Sequence, residues 1–147
     1  MEASRFFAAL VLIGALALDT PTLGDVSTPP RFPSGQISVA DWKGYLTEVK
    51  AISDVHCQDY AANQYVCDSR ERRTIWVFTR EGHPAHPAVS RGVMVVSKTD
   101  SGTIIGIDRS GHYAGDADAF RKWMSEFVIL DKRQVAEWNQ MFSRDGT

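Results

Sequence analysis

Cysteine is scarce in this chain, basic clusters are missing, and no apolar run is long enough to cross a bilayer as a helix. Only Cys57 and Cys67 are present, with no C-x-x-C pair, which sets aside the common dithiol redox motif. Sixteen Lys and Arg residues are scattered among eighteen Asp and Glu, for a formal charge of -2. No block among them would neutralise a run of phosphates, so nucleic acid is not expected as a partner. What remains, 44% hydrophobic, 23% charged and 10% aromatic over 147 residues, is an ordinary globular composition of single-domain size.

The longest apolar run, Phe6 to Leu18, follows Arg5 and covers about thirteen residues, short of the roughly twenty that span a bilayer. That length suits the core of a signal peptide. Ala15 and Ala17 supply the small-x-small pair read by signal peptidase, which predicts a signal peptide over residues 1–17 with cleavage after Ala17. No cysteine follows the run, so a lipid-anchored lipoprotein is not expected. The alternative is an uncleaved anchor or a core helix, and the immediate Asp19, Thr20 and Pro21 weigh against it. The expected location is therefore periplasmic or secreted, with no stable membrane anchor after cleavage. Residues 18–36, with prolines at 21, 29, 30 and 33, read as a flexible lead-in, and residues 37–147 as one folded domain.

In an oxidising compartment two cysteines form a disulfide. A turn around Ala61, Ala62 and Asn63 sets Cys57 opposite Cys67 on a hairpin, at bridging distance. Closing so short a loop contributes about 2–3 kcal/mol through the unfolded state.

Elsewhere the pattern is helix, strands, helix. Ser38 and Asp41 form a helix-start cap, after which Trp42, Leu46, Val49 and Ile52 recur along one face. Thr74 to Thr79 is apolar at odd and even positions, as in a central strand covered on both sides. Arg91 to Lys98 and Thr103 to Asp108 read as two more strands joined by the turn Asp100-Ser101-Gly102. Asp116 caps a helix carrying Phe120, Trp123, Phe127 and Leu130 on one stripe. The stripe then slips, and Asp131 with Gln134 resembles a second cap, predicting a bend or break before Val135, Trp138 and Phe142. The expected class is α+β: an antiparallel meander of three to five strands, flanked by an N-terminal helix and a long or broken C-terminal helix.

The segment from Arg80 to Ala88, REGHPAHPA, joins two strands through more residues than a hairpin needs. Each His-Pro step favours extended backbone at the histidine, so His83 and His86 are presented from a stiff loop. A meander returns the chain to the same sheet end after Asp108, which places Arg109, His112, Tyr113 and Asp116 beside that loop. Arg80, His83, His86, His112 and Tyr113 are accordingly the candidate binding residues. His83, His86, His112 and Asp116 are the candidate ligands if the site holds Zn or Cu, because imidazole suits either ion. H-x-x-H in an extended loop does not put both rings on one face, and no Glu stands between them as in the helical H-E-x-x-H motif. No serine or cysteine has the setting of a nucleophile, so no catalytic residue is assigned. His56 reads as a surface or hairpin residue.

FTREGHPAHPAVSRGV, followed by HYAGDADAFRKWMSEF, resembles a set of small exported proteobacterial proteins of unknown function that share a T-R-x-G-H-P-A-H-P-A motif. The similarity runs from Thr74 to Leu130. It implies an exported family member and supplies no catalytic residues. The functional expectation is a non-catalytic binding or inhibitory module that presents the His-Pro loop to an envelope protein or cell-wall component, without a cofactor. The alternative is a transition-metal protein using His83, His86 and His112.

Overall fold

A computed structural model describes residues 36–144. The expected signal peptide, its cleavage after Ala17, nearly all of the lead-in and the side chain of Phe142 lie outside the described residues.

The chain builds α1 (Val39–Lys50), β1 (His56–Tyr60), β2 (Gln64–Ser69), β3 (Thr74–Thr79), β4 (Ala88–Thr99), β5 (Gly102–Tyr113) and α2 (Ala117–Arg144). The strands form one antiparallel sheet in sequence order, β1-β2-β3-β4-β5, so the expected meander has five strands. Local chemistry sets its ends. Ser38 Oγ accepts from the Asp41 amide while the Asp41 carboxylate accepts from the Ser38 amide, closing a capping box on α1. Asp116 Oδ1 accepts from the Ala119 amide at 2.7 Å and caps α2. Ala61 and Asn63 take left-handed backbone (φ 47° and 65°) in the first hairpin turn, which sets Cys57 against Cys67 in register, and the two are bonded.

Alternation along β3 divides the core. Trp76 and Phe78 face α1 and pack with Trp42, Tyr45, Val49 and Val89. Val77 faces the opposite side, with Ala85, Ala88, Trp123 and Phe127 of the α2 layer. Strand β3 is central as expected, yet Ile75 is 38% exposed, because α2 packs along β5 and reaches β3 at Val77 but leaves its Ile75 end open.

Two expectations need correction. Strands β4 and β5 are longer than their apolar segments, since pairing continues to Ala88↔Tyr113, so Arg109, His112 and Tyr113 lie within β5. Helix α2 is unbroken. Asp131 caps nothing: it follows Phe127 by one turn on the sheet-facing side, where Arg109 Nε (2.8 Å) and Nη2 (2.6 Å) donate to its two oxygens. The slipped stripe is thus a polar contact, not a helix end.

Candidate functional site

The His-Pro loop is two consecutive turns. The His83 amide donates to the Arg80 carbonyl (3.0 Å) and the His86 amide to the His83 carbonyl (2.9 Å). Thr79 Oγ1 accepts from the Ala88 amide at 2.8 Å, and Trp42 Nε1 donates to the Ala88 carbonyl at 2.9 Å, tying α1 to the loop's exit. The Ala114 amide donates to the Pro87 carbonyl (2.8 Å). At Gly115 a Cβ would stand 2.4 Å from the His86 carbonyl oxygen, so only glycine lets the chain pass so close to the loop on its way into α2.

Both imidazoles take part in this clasp. His83 Nδ1 accepts from the Ala85 amide at 3.1 Å, and its ring stands edge-on to Trp123 of α2, with centroids 5.4 Å apart. Burial lowers the His83 pKa below the ordinary imidazole value; the positive form of His86 pushes the same way and Glu126 opposes. His86 lies edge-on to Trp42 of α1 at 5.1 Å, with Nδ1 3.1 Å from the Thr79 carbonyl oxygen. A carbonyl only accepts, so Nδ1 carries the proton of that bond. One histidine therefore grips each helix.

The other candidates serve similar ends. Tyr113 stacks on Phe120 with centroids 4.6 Å apart, and Arg80 pairs with Asp59 over the Tyr65 ring. His112 lies opposite Val89 in register, half-buried on the α1 face of the sheet, and Asp116 is the α2 cap. His83 and His86 are neighbours, but His83, His86, His112 and Asp116 do not converge. Among the described residues no group of three or more His, Cys, Asp or Glu is arranged to hold a metal ion. His56 is exposed on the edge strand β1. On the loop's outer surface only Arg80, Glu81, Gly82 and Pro84 are exposed.

A larger open feature lies elsewhere. Between the α2 side of the sheet, chiefly β1–β3, and the flank of α2 runs a cleft of about 750 Å³. Its walls are mostly apolar, with Val66, Ile75 and Val77 from the sheet and Phe127, Leu130 and Trp138 from the helix. Arg109 lines it too: Asp131 binds it, its Cζ lies 4.4 Å over the Phe127 ring, and Gly92, opposite in register, leaves room for the guanidinium. A Cβ at Gly92 would come within 2.8 Å of Arg109 Cζ. At the mouth stand Asp68 and two exposed arginines, Arg70 and Arg73, from the β2–β3 turn. The Arg73 carbonyl accepts from the Met94 amide at 2.8 Å, which fixes that turn against β4. Ser69 at the cleft's edge donates to Asp54 and accepts from the Arg72 amide, so its hydroxyl joins the α1–β1 connection to the turn.

Sequence reasoning assigned Ile75 and Leu130 to the core, whereas both line the cleft and Leu130 is 52% exposed. One signal was present: Phe127 to Leu130 are four consecutive apolar residues, and a helix cannot turn all of them to one sheet. No family model, curated protein or solved structure matches this chain.

Proposed function

We propose that the chain is an exported, non-catalytic binding module whose ligand surface is the cleft between β1–β3 and α2. Export is supported by the N-terminal apolar run and by the Cys57–Cys67 bond, which suits an oxidising compartment. No described helix is long and apolar enough to cross a membrane. The cleft carries the binding reading: it is concave, its surface is mostly apolar with polar and charged side chains set among the apolar ones, and it is within the size range of small-molecule sites. The His-Pro loop supports it from a distance by fixing α1 and α2 to one end of the sheet.

A bound ligand stabilises the folded state by mass action, so the test is the thermal midpoint in fractionated envelope extract. Three forms are compared: the wild type, Ile75→Glu in the cleft, and Arg80→Ala/Glu81→Ala/Pro84→Ala on the loop's outer surface. The expected result is a rise in the wild type and the loop variant that is absent from Ile75→Glu. Loss confined to the loop variant would move the binding surface to the His-Pro corner, and no rise in any form would remove the binding reading.

A further inference from the structure

Resting on that cleft, we infer that its ligand is an amphiphile: one alkyl chain in the cleft, with an anionic head at the mouth. The backbone groups of β2 and β3 are bonded to strands on both sides and those of β1 on its inner side, so the floor offers a ligand side-chain surface and few main-chain partners. An extended peptide laid there would bury a donor and an acceptor at every residue against Val66, Ile75 and Val77. An alkyl chain has no such groups to satisfy and gains from every methylene it removes from water.

The one guanidinium inside the cleft is already neutralised, since Arg109 is held by Asp131. Arg70 and Arg73 at the mouth have no ion-pair partner among the described residues; of the acidic side chains near them, Asp68 lines the cleft, whereas Glu71 of the same turn does not. The cleft thus joins apolar wall to two unpaired guanidinium groups from the β2–β3 turn. A carboxylate or phosphate head at the open end matches both parts, and a guanidinium pair is well suited to either anion.

The experiment is calorimetric titration of the wild-type protein with octanoate, decanoate and dodecanoate, each below its micelle concentration, and with dodecyl phosphate and dodecyltrimethylammonium. The expected result is one site whose affinity rises roughly fourfold per added methylene, accepts both anionic heads, and is much weaker for the cationic one. In Arg70→Gln/Arg73→Gln, the preference for anionic heads falls about fivefold or more while the chain-length trend remains. Leu130→Glu and Ile75→Glu, at exposed positions, abolish binding with the fold intact by circular dichroism.

Equal affinity for cationic and anionic heads would overturn the anionic assignment and leave the cleft standing as a binding site. Absence of chain-length dependence, or binding unchanged in both Glu variants, would overturn the amphiphile. If no alkyl probe binds while an envelope protein stabilises the wild type and not Ile75→Glu, the inference falls and the cleft reading survives.

Discussion

At His83 the fold uses the unprotonated ring nitrogen directly, because Nδ1 accepts a backbone amide in the turn that leads to Ala85. Protonating that nitrogen removes the acceptor and places a charge against Trp123. Burial accordingly holds the His83 pKa below the ordinary value, and Glu126 offsets this only in part. The unfolded chain then binds a proton that the folded chain refuses, between the usual imidazole pKa of about 6.5 and the lowered one. Stability contributed by His83 is full above that range and is lost as pH falls through it. The urea midpoint should therefore drop between about pH 7.5 and about pH 5.5. His83→Asn, whose amide oxygen replaces Nδ1 as the acceptor without titrating, should flatten the drop. An identical drop in the variant would assign the proton to another group.

At the scale of elements, β5 and α2 are joined by a packed surface and by one ion pair within it. The Arg109 and Asp131 side chains are only 14% and 17% exposed, and Arg109 Nη1 also donates to Ser90 Oγ at 3.2 Å. Removing one partner leaves the other charged and largely dry, whereas removing both leaves an apolar contact that Phe127 and Met94 can extend. Asp131→Ala should lower stability by about 3 kcal/mol. Arg109→Met/Asp131→Leu should recover most of that loss. Urea unfolding of the single and double variants measures the coupling, and additive losses would show that the pair is screened by solvent. This contact also marks the boundary of what the sequence discloses. Caps at Ser38 and Asp116, the turn at Ala61–Asn63 and the meander order are settled by neighbours within a few residues, and each was legible. The Arg109–Asp131 pair joins residues 22 apart through a strand register and a helix rotation, so Asp131 read as a cap. The cleft was illegible for a related reason: Ile75, Val66 and Gln58 show ordinary strand patterning, and their exposure follows from where α2 settles across the sheet.

In the whole molecule one five-stranded sheet separates two cores, and the layers are uneven. Helix α2 covers the β4–β5 side, so the hairpin β1–β2 lies at the thin edge, where β1 has one strand neighbour and mostly exposed side chains. The same uncovered ground forms the cleft. A sheet edge that carries a binding surface cannot also be buried under a helix, and the bond between Cys57 and Cys67 holds that edge by another route, by restricting the unfolded chain. Its loop of roughly ten residues corresponds to about 2–3 kcal/mol, a substantial part of the 5–15 kcal/mol usual for a domain. Reduction, or Cys57→Ser/Cys67→Ser, should therefore lower the thermal midpoint by roughly 10–20 °C while leaving the far-ultraviolet spectrum of the folded state unchanged. Both treatments should act alike, and reductant should do nothing further to the double variant. A midpoint unmoved by either would mean that strand pairing and the α1 core hold β1 unaided, and the disulfide would then have no part in keeping the cleft's outer wall in place.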